Sequence, residues 1–283
     1  MARNRTMSIS ILNIEMEKPH SPERYIDLFG DVFSLRYPVK IYGDQSFIIT
    51  SIDAKNDHIF GVIGKFTKID EKADWLDTNS MDAADETSKK KIQIPENLQP
   101  NYSPFYFYFN SKTHKMYFEK VVSPNSVRKF LLSVFSIKSV SDKYGQVNVS
   151  VIQEEEALRE IFSLKLIKTL DIKIFRPNPD DNGSLDEMMM EQMEEAGASQ
   201  VRFGLTGSPK TGVKPTPQIR QLGQAALSHG EIEAKGYDQN DNLVMLSSVN
   251  HPVIKKYRYD PEISSERDAF RAAVGGEIGS GDI

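Results

Sequence analysis

The side chains that could hold a metal ion are few and widely spaced along this sequence of 283 residues. No histidine lies four residues from another, and none has the spacing of a metallohydrolase site. The chain has no cysteine, which excludes thiolate zinc sites, disulfides and a cysteine nucleophile. We therefore predict no metal site and no cofactor, and we interpret each histidine as a loop or cap residue. The histidines are His20, His58, His114, His229 and His251.

Carboxylates near residue 180 offer the best alternative to that view. Asp180 and Asp181, with Asp171 upstream, could hold a divalent cation for phosphodiester cleavage, because hard cations prefer clustered carboxylate oxygens. The pair follows Pro177 and Pro179, however, in a turn where Asp side chains commonly bond to the backbone. The turn is the favoured interpretation, and a metal-dependent nuclease is kept as the last of three hypotheses.

Motifs of nucleophilic catalysis or nucleotide binding are missing from the sequence. There is no G-x-S-x-G, no phosphate loop ending in GK[ST] and no G-x-G-x-x-G after a strand. The segment GLTGSPKTG at 204–212 resembles a phosphate cradle, but its spacing is wrong and no strand-to-helix switch frames it. The sequence therefore predicts a binding protein rather than an enzyme.

Positive charge is concentrated in two parts of a chain whose net charge is −5. Residues 101–180 hold 12 Lys and Arg against 8 Asp and Glu, and residues 201–260 hold 8 against 5. A basic surface built from these segments would contact the phosphates of a nucleic acid, although each residue taken singly also fits a solvated surface. The predicted nucleic-acid-binding residues are Lys165, Lys168, Lys173, Arg176, Lys255, Lys256 and Arg258.

An aromatic run at 105–109 predicts a strand with two unlike faces. Alternation places the phenylalanines on one face and Tyr106 and Tyr108 on the other. Burial on one face explains the phenylalanines. The tyrosines are interpreted as packed against a helix, with an open platform for stacking bases as the alternative.

Two similar units indicate the fold class. Each has a strand, a helix that begins at Ser-Pro, and a further strand, and the units span residues 7–52 and 115–152. The closing strands are predicted at 39–52 and 146–152. The helices begin at Ser21-Pro22 and Ser123-Pro124 and carry apolar residues three and four apart. We predict an α+β fold, with a mostly antiparallel sheet, packed helices and duplicated βαβ-like units.

The clearest break in the chain is the turn that follows Arg176. Residues 1–176 are predicted to form an N-terminal α+β domain with a charged, mobile insertion at 71–91. Residues 177–260 are predicted to form a smaller α+β region of helix and hairpin, with a loop at 197–217 and hairpin strands at 231–237 and 243–248. The glycine-rich residues 261–283 read as a mobile tail.

No apolar stretch approaches the roughly 18 to 20 residues of a spanning helix, and the N-terminus lacks the apolar run of a secretory signal. We therefore expect a cytoplasmic protein that has no membrane partner.

Several segments together resemble an uncharacterised bacterial family found near mobile elements. The segments are HSPERYIDLF (20–29), VKIYGD (39–44), IPENLQPN (94–101), SPNSVRKF (123–130), FRPNPDD (175–181) and EAKGYD (233–238). The order of elements and the length are also remotely similar to the phage exclusion protein RexA and related phage-defence proteins. This similarity implies two domains, a homodimer and association with DNA, and it transfers no individual site residue.

The leading hypothesis is a RexA-like phage-exclusion or defence component that binds nucleic acid, most simply double-stranded DNA, without catalysis. The second is a protein-interaction or sensor module of a defence operon. Its contact surfaces would be the 71–91 insertion and an acidic helix at 185–195. That helix carries Met188, Met189, Met190 and Met193.

Overall fold

The structure is a computed structural model that describes residues 4–17, 19, 21–70, 73–92, 94–95, 97–176 and 184–276. Its strands are β1 Arg5–Met16, β2 Val39–Tyr42, β3 Gln45–Ala54, β4 His58–Thr67, β5 Leu76–Asp77, β6 Asp82–Ala83, β7 Ser103–Asn110, β8 Lys115–Glu119, β9 Val147–Val151, β10 Leu166–Phe175, β11 Gln200–Thr206, β12 Gly230–Tyr237, β13 Leu243–Ser247 and β14 Ile254–Tyr259. Its helices are α1 Pro22–Leu35, α2 Glu86–Lys89, α3 Pro124–Phe135, α4 Lys138–Tyr144, α5 Glu156–Phe162, α6 Ser184–Glu195, α7 Pro217–His229 and α8 Glu266–Gly276.

Most strands belong to one large antiparallel sheet in the order β14-β1-β8-β7-β4-β3-β2. The long strand β1 pairs with β14 through residues 5–10 and with β9 through residues 12–16. Because β8 pairs with residues 9–13, β14 and β9 share the opposite edge of β1. The predicted α+β fold with a mostly antiparallel sheet is confirmed. β1, α1, β7, β8, α3 and β9 follow the β-α-β-β-α-β order of ferredoxin-like domains, with β2 to β6 inserted. The first strand-helix-strand unit therefore closes on β7 and not on the predicted strand at 39–52.

The two Ser-Pro helices form as their sequences predict. The Ser21 hydroxyl accepts a hydrogen bond from the Arg24 N–H at 3.3 Å, and Ser123 accepts one from Ser126 at 3.2 Å. These bonds satisfy amides that have no partner within the helix. Both helices bury their apolar stripes on one face of the large sheet, against the phenylalanines of β7. In the part of the chain that the structure describes, no helix is long and apolar enough to cross a membrane.

The opposite face of the large sheet is covered in part by α8. Residues 261–276 were predicted as part of a mobile tail, but 266–276 form a helix whose buried residues recur at three and four. The buried set is Ala269, Phe270, Ala273 and Val274, which pack with residues of β1, β4 and β8. The glycine-rich composition of this region suggested a tail, and the short apolar stripe within it was therefore not interpreted as a helix.

A second, smaller antiparallel sheet has the order β11-β10-β12-β13. Helices α5, α6 and α7 contribute to its own apolar core. Strand β11 occupies part of the predicted 197–217 loop, and the predicted 39–52 strand is split by a turn at Gly43, where φ is +52°. The predicted boundary at residue 176 does not separate the two sheets. Strand β10 lies before it and belongs to the small sheet, while β14 lies beyond it and belongs to the large sheet.

Candidate nucleic-acid interface

The first group of predicted cations lies along β10 and is largely engaged with neighbouring side chains. Lys165 Nζ lies 2.6 Å from Asp241 Oδ1, and Lys173 Nζ lies 3.5 Å from Glu231 Oε1. Lys168 Nζ lies over the ring of Tyr237. Arg176 donates a hydrogen bond to the Ala198 carbonyl at 3.2 Å.

The outward face of the small sheet carries both signs of charge. Register places Glu231 and Arg202 on either side of Lys173, and Glu233 beside Asp171. Arg202 Nε donates to both carboxylate oxygens of Asp171 at 2.8 Å. Hydrogen bonding by the Asp171 carboxylate raises the pKa of Arg202. This face therefore has no continuous positive strip, and Asp171 is engaged by a cation within the protein. Asp180 and Asp181 lie outside the described residues.

The second group of cations lies on β14, at an edge of the large sheet. Lys256 and Arg258 are exposed and stand opposite Ser8 and Thr6 of β1, while the half-exposed Lys255 points to the other side of the sheet. Exposed Arg5 stands opposite Tyr259 at the same edge. Within the described residues, none of these four cations has a carboxylate partner. Their charge is therefore available to a ligand.

The two groups lie in different sheets and do not form one strip on adjacent strands. Alternation along β14 also divides the second group, since Lys255 lies on the α8 side and the other two on the α1 and α3 side. The sequence predicted the residue types but could not predict which carboxylates lie opposite them.

The aromatic strand packs rather than forming an open platform. Its phenylalanines are fully buried under α1 and α3. Tyr106 stacks on Phe60 with ring centroids 5.8 Å apart and also packs on Phe270 of α8. Tyr108 packs between His58 and Tyr117. Burial raises the pKa of the Tyr117 hydroxyl to about 12, so this hydroxyl stays protonated at neutral pH.

Sequence reasoning missed a buried polar cluster between β1 and the end of α7. Glu15 Oε1 accepts hydrogen bonds from His229 Nδ1 at 2.7 Å and from Asn13 Nδ2 at 2.8 Å. All three side chains are buried. The available signal was the alternation of β1, whose face of Met7, Ile9 and Ile11 continues as Asn13 and Glu15. A polar pair in register with a buried apolar face indicates a specific buried partner.

The other histidines are placed individually. His58 Nδ1 lies 2.8 Å from Asp57, and His251 Nε2 lies 3.2 Å from Glu160. His114 lies in the β7–β8 turn but is buried against Tyr25. His20 lies outside the described residues. Among the described residues, no group of three potential metal ligands comes together.

Two segments, α6 and the 71–91 insertion, are the surfaces expected to contact a protein partner. Met189 and Met193 of α6 are buried and are not available as contacts, whereas the side chains of Met188 and Met190 lie outside the description. The 71–91 insertion contains the β5–β6 hairpin and α2 and exposes Leu76 and Met81.

A pair of carboxyl groups joins α8 to the large sheet. Glu119, at the end of β8, is 7% exposed and hydrogen-bonds with Glu266 in the first turn of α8. Burial, and then the negative charge of Glu266, raise the pKa of Glu119 to about 7. The contact therefore favours a shared proton.

Replacing Glu119 by Gln is expected to stabilise the protein at pH 8 and to change little near pH 4. The pKa of Glu119 is raised on folding, so its stabilising contribution is complete below about pH 4.5 and is lost as the pH rises through about 7. The wild type should lose up to about 3 kcal/mol across that interval, and the variant should not. Urea denaturation at several pH values measures the difference. Glu262→Gln, an exposed neighbour, is the control, and parallel pH curves for Glu119→Gln and wild type would contradict the shared proton.

A comparison with protein families gives one further finding. A family model described as a domain of unknown function, DUF4747, matches residues 5–275, which include both sheets and both cation groups. This match agrees with the expected resemblance to an uncharacterised family. No curated protein matches the chain.

Proposed function

The chain belongs to the DUF4747 family, and from that premise we propose that it binds nucleic acid without catalysis, as a RexA-like phage-exclusion or defence component. Double-stranded DNA is the proposed ligand. The proposed contact surface is the β14 edge, formed by Lys255, Lys256, Arg258 and Arg5.

One observation carries the proposal. The β14 cations lie on an edge strand and have no carboxylate partner among the described residues, whereas Lys165 and Lys173 of β10 do. A cation that already has a carboxylate partner neutralises little phosphate charge, because its own charge is compensated, and it therefore displaces few counterions from the DNA. Free cations on a projecting edge supply the larger share of phosphate binding. The acidic pI of about 5.7 limits the proposal to local contacts rather than general adhesion to nucleic acid.

The β14 cations also have an explanation that involves no ligand. Lysine on an edge strand discourages pairing with a second sheet, and this need alone can place Lys255 and Lys256 there. Binding measurements separate the two explanations, because protection of an edge requires no affinity for DNA.

Replacing Lys255, Lys256 and Arg258 together by Gln is expected to weaken binding to a labelled DNA duplex by at least tenfold. Each lost phosphate contact should also reduce the slope of log K against log salt by about 0.9. The matched control is Lys165, Lys168 and Lys173 replaced by Gln, which removes the same charge and should have a smaller effect. Equal effects of the two triple variants, or no duplex binding by wild type at low salt, would refute the β14 interface.

Two further parts of the proposal are a homodimer, which rests on the RexA similarity alone, and a cytoplasmic location, which rests on the sequence. The mass of the protein in solution tests the first, since one chain has 32.0 kDa. Adding magnesium to the duplex titration tests whether the protein lacks catalysis, because a metal-dependent nuclease would cut the labelled duplex into shorter fragments.

A further inference from the structure

A cavity of about 760 Å³ lies between α3, the end of α4 and β9. It is on the helical side of the large sheet, and none of the residues proposed for DNA binding lines it. Its volume is in the range typical of sites for small ligands, about 300–1,000 Å³. Its described lining residues all lie within 125–148, and their spacing in the sequence gives no indication of a cavity.

The charge on the walls is entirely positive. Arg128 and Lys129 line the cavity, and no Asp or Glu is among its described lining residues. Arg128 Nε donates to the Val149 carbonyl at 2.8 Å, and Lys129 Nζ donates to the Ile41 carbonyl. These acceptors are neutral, so they orient the two side chains without cancelling their charge. The guanidinium keeps its two terminal amino groups for a ligand.

The remaining walls combine an amide with apolar surface. Asn125 lies one turn before Arg128 and Lys129 on the lining face of α3 and has an exposed amide side chain. The Asn148 side chain stands opposite Glu15 on the other face of the sheet and does not contribute to this wall. Leu132 and Val147 provide apolar contact. Amides beside apolar surface suit the edge and the face of a nucleobase, and cations suit phosphate.

A second cavity of about 530 Å³ adjoins the first. The two share Ser133 and Ser136, and the second is lined by Lys40, Lys68 and the exposed Tyr37. Again no acidic residue is among the described lining residues. Asp44 lies 3.6 Å from Lys40, but both side chains are about 70% exposed, and such a pair is weak. Positive charge therefore continues from the first cavity into the second.

We propose that the cavity between α3 and β9 binds a nucleoside phosphate. The phosphate contacts Arg128 and Lys129, and the base lies against the amide and apolar wall. A free nucleotide and one unit of a single-stranded nucleic acid share this chemistry. In the second case the adjoining cavity takes the next phosphate at Lys40 and Lys68. This site goes beyond the proposed DNA interface and does not depend on it.

The test uses two fluorescent probes, a labelled nucleoside diphosphate and a labelled single-stranded hexanucleotide, the latter as DNA and as RNA. Replacing Arg128 and Lys129 together by Gln is expected to weaken binding of any bound probe at least tenfold. Ser136 lines both cavities, so the indole of Ser136→Trp should occupy the space between them and weaken binding to the same extent. The substitution is at an exposed position and removes only the hydrogen bond from the Ser136 hydroxyl to the Ser133 carbonyl. A loss of binding in this variant would therefore not be explained by unfolding. Lys138→Gln, an exposed cation that does not line the cavity, is the control.

The outcomes separate the two sources. If the hexanucleotide binds more than tenfold tighter than the diphosphate, and Lys40→Gln with Lys68→Gln removes that gain, the ligand is a single strand. If the diphosphate binds as tightly as the hexanucleotide, the ligand is a free nucleotide. Failure of both probes to bind, or binding unchanged by the double variant and by Ser136→Trp, would overturn the proposal. The Lys255, Lys256 and Arg258 triple variant should keep diphosphate binding, which distinguishes this site from the DNA interface.

Discussion

Replacing Phe270 by Ala should lower the free energy of unfolding by about 3–5 kcal/mol, or by the full docking energy of α8 if that is smaller. The Phe270 ring is fully buried and packs on Phe60 and Tyr106 at centroid distances of 6.0 and 6.1 Å. Its removal deletes the largest apolar contact between α8 and the sheet. Urea denaturation measures the loss, and hydrogen exchange of the α8 amides identifies local undocking.

Phe270→Leu is the matched comparison, because it retains an apolar side chain and should lose less. Arg267→Gln removes a cation that lies over the Phe60 ring and should have a small effect, since the contact is at the surface. An Ala variant as stable as wild type, with unchanged α8 exchange, would show that α8 is not held by this contact.

Replacing Glu15 by Ala is expected to cost about 3–5 kcal/mol, because it leaves buried polar partners without their acceptor. His229 and Asn13 both donate to Glu15 Oε1. His229 ends α7 and Glu15 lies in β1, so the loss should loosen the contact of α7 with the large sheet. Thermal and urea unfolding measure the cost.

The informative control replaces the whole cluster by apolar residues of similar size: Asn13→Val, Glu15→Met and His229→Phe. Removing all partners together leaves no orphaned group among them, and such replacements are often neutral. We expect the triple variant to lie closer to wild type than the single variant does. A triple variant less stable than Glu15→Ala would contradict this account and would assign the cluster a net stabilising role.

Local sequence signals predicted the helices and hairpins well. Ser21-Pro22 and Ser123-Pro124 begin helices because a capping hydroxyl and a proline at the first helical position act within one turn of chain. The hairpin of β12 and β13 follows from alternation around a polar turn, where the Asp238 carboxylate accepts from the backbone of Asn240 and Asn242. The same local reasoning failed at α8, whose four buried residues have partners on strands far away in the chain.

The candidate interface was only partly predictable for the same reason. Lys173 and Glu231 are 58 positions apart, and only the register of β10 with β12 brings them together. The cavity at Arg128 has its described walls within 125–148, but which side chains border it depends on how α3 packs along β9. Composition identified the candidate residue types, and the tertiary structure decides which of them have a carboxylate partner.

The pairing of β1 with β14 has a consequence for the order of folding. The Ser10 hydroxyl donates to the Val253 carbonyl across 243 positions of sequence, and residues 5–10 pair with 254–259. During synthesis, one edge of the first half of β1 stays unpaired until residue 259 has left the ribosome. At about 5–20 residues per second, that edge waits for more than ten seconds as a template for wrong pairing. The polar residues Ser8 and Ser10 on one side of this segment reduce its tendency to pair wrongly during that interval.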